Sequence, residues 1–137
     1  MRLVREFAEA LELLLKKDVR KQQAEIQRMY DQYVGPYAFY HTAAVADIME
    51  SMEQWDERER LPRLEMLAEL WYAEGSVKQQ PLRNLLLDKA VRLYDYVDGH
   101  SPDFSLVRKQ KMAMIRSLMA KGEQERTAGQ AQTIQNQ

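Results

Sequence analysis

The 137-residue chain contains no cysteine. That removes a disulfide framework, a thiolate metal site and a cysteine nucleophile, and it agrees with a cytoplasmic protein. Glycine is also sparse. The five glycines stand apart from one another, and none precedes a Lys-Ser or Lys-Thr pair, so there is no phosphate-cradling loop. The two histidines, His41 and His100, are remote in sequence and belong to no His-x-x-x-His or His-Glu-x-x-His arrangement, which leaves zinc without ligands. No Gly-x-Ser-x-Gly elbow presents a nucleophile. No apolar run approaches the ~20 residues of a membrane span. The greasiest early stretch, Leu11 to Leu15, is reached through Glu6, Glu9 and Glu12, a spacing that a secretory signal core does not tolerate. Neither sign of charge dominates: the net charge is −1, so nucleic acid or an anionic membrane is not recruited by bulk electrostatics. These absences point away from an enzyme, a cofactor and a metal.

What is present is helical periodicity. Hydrophobic residues make up 45% and charged residues 30%, the composition of one globular domain rather than of a disordered chain. Leu3, Phe7, Leu11, Leu14, Leu15 and Val19 recur at three- and four-residue steps, and Ile26, Met29, Tyr30 and Tyr33 continue the phase. The polar Arg20-Lys21-Gln22-Gln23 between them leaves two alternatives, one long helix or two with a break near Asp18. Gly35-Pro36 is a stop. A second helix is expected from Thr42 as N-cap, with Val45, Ile48, Met49 and Met52 inward. Residues 56–60 read as a charged connector. Pro62 and Pro81 are placed in the first turns of a third and a fourth helix, closed by Gly75 and Gly99. Ser101-Pro102 opens a fifth, carrying Phe104, Val107, Met114, Ile115 and Leu118. No alternating β-branched pattern appears, so the expected fold is all-α: about five helices packed as antiparallel hairpins, without a sheet. Residues 1–121 form the single domain. Residues 122–137, with five glutamines after Gly122, form a polar tail, either a frayed helix or a flexible extension.

Residues 64–102 have the spacing of one helix-hairpin repeat. Leu67, Ala68 and Trp71 mark its first helix, and Ala90, Tyr94 and Val97, followed by Pro102, mark its second. A small residue permits close helix approach, an aromatic fills the gap to the next unit, and proline punctuates; this resembles a tetratricopeptide repeat, although the stretch from Ala73 to Pro81 is longer than that repeat's turn. More broadly, the chain resembles a family of short bacterial helical proteins, a domain of unknown function with tetratricopeptide-like helices. The residues that carry the resemblance are Arg5 to Leu11, Leu67-Ala68-Glu69-Leu70 and Leu86 to Tyr96. It implies a fold and no activity. A lone hairpin cannot bury its apolar face, and ~3 repeats are usual for stability, so a neighbour or a partner is expected.

Candidate contact residues come from aromatic clustering. Tyr30, Tyr33, Tyr37, Phe39 and Tyr40 place five of the twelve aromatics within eleven residues. The plainer reading is core packing; the sharper one is an aromatic interface or small-ligand pocket rimmed by His41. Trp55, beside the acids Glu53, Asp56 and Glu57, is expected to be the most exposed aromatic and an anchor. Trp71 and Tyr72 are adjacent and point about 100° apart on a helix, so Trp71 is assigned to packing and Tyr72 to a partner. Tyr33, Tyr37, Tyr40, His41, Trp55 and Tyr72 are thus the candidate partner-binding set. His100 is read as complementing a helix C-terminus, the acids of residues 34–62 as a solvated surface, and Arg108-Lys109-Gln110-Lys111 as their complement. The functional expectation is a cytoplasmic scaffold that binds another protein. The alternatives are a homo-oligomer, or a small-ligand regulatory module built on Tyr30–Tyr40.

Overall fold

The computed structural model describes residues 2–135, and among them there is helix and no strand. Seven α-helices follow one another: α1 (Arg2–Leu15), α2 (Val19–Met29), α3 (Tyr37–Tyr40), α4 (Val45–Ser51), α5 (Glu57–Val77), α6 (Leu82–His100) and α7 (Leu106–Gln135). A π-helical turn, Tyr30–Val34, extends α2, and a 3-10 turn, Met52–Gln54, extends α4. The count exceeds the five expected because the N-terminal segment takes the divided one of its two alternatives and an additional short helix precedes the expected second helix. The N-terminal segment breaks at Asp18, whose carboxylate accepts the Lys21 N–H at 3.1 Å and caps α2. After Gly35-Pro36 a single-turn helix, α3, intervenes before α4.

Several boundaries move for identifiable reasons. Thr42 is not the cap of α4: its hydroxyl donates to the Ala38 carbonyl, and Ala44 holds the cap position with its N–H bonded to Asp47. The expected connector at 56–60 is the cap and first turn of α5, because Asp56 accepts the Arg58 N–H at 2.9 Å. Pro62 therefore lies inside α5 rather than at its start. Pro81 is the cap residue of α6, and Gly75 and Gly99 sit within α5 and α6 instead of ending them. The last helix starts at Leu106, where the Ser105 hydroxyl accepts the Arg108 N–H at 3.2 Å; Ser101-Pro102 precedes it in an irregular link. The polar tail continues α7 as helix through Gln135; Asn136 and Gln137 lie outside the described residues.

The core is centred on α5 and α6, the most extensive pairing. Leu64, Leu67, Ala68, Leu70 and Trp71 of α5 pack with Leu86, Ala90, Leu93, Tyr94 and Val97 of α6, all at 0–1% exposure. The two run antiparallel, Gly75 meeting Leu86 near the link. A Cβ at Gly75 would press 3.2 Å from that of Leu86, so glycine sets how closely the helices approach. Gly35 has a similar role: a Cβ there would collide with the Tyr40 ring. α7 lies antiparallel to α6, with Arg108 bonded to Asp98 at one end and Asn84 donating to the Met119 carbonyl at the other. α1 rests on α2 and α5 through Phe7 and Leu14.

Candidate functional site

The core surrounds one buried carboxylate, Glu74, 2% exposed on α5. The Tyr37 hydroxyl donates to its Oε2 at 2.5 Å, and the Tyr30 hydroxyl lies 3.4 Å from Oε1. His41 stacks on Tyr37 at 4.0 Å between ring centroids, its Nδ1 3.9 Å from the same carboxylate. From α6, Lys89 enters the cluster; its ammonium donates to the Ala43 carbonyl at 2.7 Å and sits 4.4 Å from the Trp71 ring centroid. Trp71 in turn donates its indole N–H to the Tyr40 carbonyl at 2.9 Å. Burial pushes the Tyr30 and Tyr37 hydroxyls above the ordinary tyrosine range, and the Glu74 charge adds to it. Burial likewise lowers Lys89, with Glu74 opposing that shift. The cavity beside Glu74 and Tyr37 is about 10 Å³, room for one water rather than a ligand. Chemically this is a set of mutually satisfied groups that pins α3 and the α3–α4 link onto α5 and α6.

The candidate aromatics are consequently divided. Tyr33 and Tyr40 are buried, Tyr33 with its ring edge-on to Phe7 at 5.3 Å. Tyr37 and His41 are brought together at the Glu74 cluster. Trp55 is half-buried beneath the Arg63 guanidinium, 4.7 Å from its ring, and 6.5 Å from the Tyr40 ring. It is not the most exposed aromatic; Phe104, at 76%, is more open. Trp71 is fully buried and Tyr72 half-exposed, as the 100° offset required. Tyr72 stands on a different side of the molecule from the others, its hydroxyl 3.8 Å from the Met114 sulfur and its ring under the Lys111 ammonium.

That side holds a sizeable opening. A groove of about 630 Å³ runs between α1 and the start of α7, floored by α5. Val4, Phe7, Ala8 and Leu11 form one wall, Leu61, Met66 and Val97 contribute to the floor, and Arg108 stands opposite. Its charges are engaged with one another. Arg108, 7% exposed, donates to Glu65 at 3.2 Å and to Asp98 at 3.0 Å; Lys109 joins Asp98 at 2.6 Å, and Lys111 joins Glu69 at 3.2 Å. The bonds from Lys109 and Arg108 hold the Asp98 carboxyl below the usual carboxylate range. The basic cluster thus complements acids within the molecule, but those of α5 and α6 rather than of residues 34–62. The Tyr94 hydroxyl points toward Glu69, is buried, and has no partner at hydrogen-bonding geometry.

Glu74, Lys89 and Arg108 were not among the sequence candidates. The signal was there for two of them: Glu74 follows Leu67, Leu70 and Trp71 in the inward phase of α5, and Lys89 falls between Leu86 and Leu93 in that of α6. A charge at an inward helical position requires a partner. His100 fits its reading, with Nδ1 donating to the Tyr96 carbonyl at 2.8 Å at the end of α6. Among the described residues no group of acids and histidines is arranged to hold a metal, and no helix is long and apolar enough to cross a membrane. Comparison with family models, curated proteins and solved structures finds no match.

Proposed function

We propose that the chain is a non-enzymatic helical scaffold, tetratricopeptide-like in the stacking of α5, α6 and α7, that binds another protein in the cytoplasm. The observation that carries this reading is the groove of about 630 Å³ between α1 and α7. Its apolar wall and floor offer hydrophobic contact, while Glu65, Glu69 and Arg108 are already paired and demand no counter-charge. Such a surface suits an amphipathic segment of a partner, whose apolar side chains enter the groove and whose polar face stays in water. Tyr72 follows Glu69 by about one turn and extends the floor as an aromatic anchor. The Tyr37–His41 pair belongs to the frame behind it.

A photo-reactive residue at Ala8, exposed on the groove wall, tests this in a native lysate against the same residue at Arg92, on the outer side of α6. A protein adduct formed from position 8 and absent from position 92, and lost on changing Leu61 to Glu, is the expected result. Identical adducts from both positions, or none from position 8, would overturn the reading.

A further inference from the structure

We propose that two copies of this chain exchange α1, the α1 of each lying in the slot that the other's has vacated. The groove wall of Val4, Phe7, Ala8 and Leu11 is then supplied by the second copy. The exchange does not rest on the groove's taking another protein. It starts from the break between α1 and α2, which is Lys16, Lys17 and Asp18. Neither glycine nor proline lies there, and all three residues are compatible with a helix. Side chains hold the bend. Asp18 accepts the Lys21 N–H, the Gln22 amide donates to the Lys17 carbonyl at 2.7 Å, and Lys17 pairs with Glu25 at 3.5 Å. Releasing them joins α1 and α2 into one helix from Arg2 to Met29 and restores the backbone bonds that the bend interrupts. A short hinge of this kind favours exchange between copies.

The straight helix leaves Phe7 and Leu14, buried in the bent chain, without cover. A different protein would have to reproduce the slot they leave; a second copy already carries it. The pattern along the helix gives the register. At about 100° per residue, Phe7, Leu11, Leu14, Ile26 and Met29 fall within an arc of about 120°, with Asp18 and Gln22 in its middle. In the bent chain the Phe7 and Tyr33 rings lie 5.3 Å apart, a pairing centred on residue 20, and Lys17–Glu25 is centred one residue further on. Two straight helices, antiparallel about a twofold axis at residue 20, keep that register between copies. Phe7 then lies on Tyr33, Leu11 faces Met29, Leu14 faces Ile26, and the Gln22 amide meets the Asp18 carboxylate. Arg20, at the axis, is turned about 180° from the seam and does not meet its equivalent. Lys17 and Lys21 of the two copies approach on one flank, where Asp18 and Glu25 match them in number. On the other flank Val19, 55% exposed in the bent chain, approaches its counterpart.

Sedimentation across a wide dilution series should resolve the 16.2 kDa chain and a species of twice that mass. The absence of native cysteine lets introduced ones report on how that dimer is built. In the double variant Lys17→Cys, Glu25→Cys, a short thiol-to-thiol cross-linker applied to the isolated dimer should join two chains, because position 17 of one copy lies beside position 25 of the other. Asp18 has φ −67°, an angle that proline adopts in the bend, whereas proline inside the straight helix breaks it. Asp18→Pro should therefore leave a folded monomer. Asp18→Ala removes the cap that holds the bend and should lower the dissociation constant of the dimer about tenfold. A monomer at every concentration in both the wild type and Asp18→Ala, a dimer that survives in folded Asp18→Pro, or a dimer whose cross-link stays within each chain would each overturn the proposal.

Discussion

Glu74 is a carboxylate set into the most apolar part of the chain, and its partners decide whether that is tolerable. Two tyrosine hydroxyls and the His41 ring lie against it, from positions well separated in sequence: Tyr37 and Tyr30 lie 37 and 44 residues away. Two tyrosines offer a controlled comparison. Tyr37→Phe deletes a short bond to a charged acceptor and should cost about 1–2 kcal/mol in urea unfolding. Tyr94→Phe deletes a buried hydroxyl that has no partner in bonding geometry, so it should change stability by less than about 1 kcal/mol, with a gain as acceptable as a loss. A larger loss at Tyr94 would show that its hydroxyl reaches Glu69 in solution. At this scale the sequence is half-legible. The inward phase of Glu74 and Lys89 is visible in the spacing of their apolar neighbours. Which hydroxyls answer Glu74 is not visible, because that depends on where the α3 turn lands. The same dependence explains why Tyr33, Tyr37 and Tyr40, close in sequence, face different surroundings.

At the scale of elements, the readable signals were those acting within a few residues. Gly35-Pro36 stops the first helical segment, and the amphipathic phase locates the bodies of α5, α6 and α7, though not the residue at which α7 starts. The polar residues after Asp18 are compatible with one helix or two, and the Asp18 side chain, accepting the Lys21 N–H, decides for two. That cap marks the break between α1 and α2, so Asp18→Ala should cost about 0.5–2 kcal/mol. Asp18→Asn, which keeps an acceptor, should cost only a small part of that, as checked by chemical denaturation of the two variants. Proline was the misleading signal. Its preference for a first turn placed the start of α5 at Pro62, yet Asp56 caps the helix earlier, and Glu57 and Glu59 favour its N-terminus through the helix dipole. The missing N–H of Pro62 leaves a carbonyl at exposed Arg58, where water can satisfy it. Local composition therefore recorded that a helix existed here, while competition between two legitimate start signals set its boundary.

For the whole molecule, stability is concentrated in α5 and α6, and the flanking helices are attached by different means. α7 is latched by ions. Because Lys109 and Arg108 hold the Asp98 carboxyl low, its folded-state pKa lies below the unfolded value. The stability it contributes is present above about pH 4, the unfolded aspartate value, and is lost as pH falls through the folded pKa. The stability gap between wild type and Asp98→Asn should therefore be full at neutrality and close in acid; a gap independent of pH would remove the latch. α1 is packed on the body at few points. Phe7 and Leu14 are buried, whereas Leu3, Val4, Leu13 and Leu15 remain exposed, in contrast to the eight buried positions of α6. Few buried contacts imply a low opening free energy, so α1 amides should exchange with deuterium well before those of α5 and α6. Phe7→Ala should accelerate exchange in α1 strongly while leaving the α5 and α6 amides still the slowest in the chain. The sequence showed α1 as amphipathic but not that it forms one wall of the groove, since that follows from how α1 and α7 flank α5. If α1 instead exchanged at the core rate, the groove would be a fixed slot and its partner would have to fit a rigid shape. Fast exchange makes α1 a movable wall that a bound segment would hold in place.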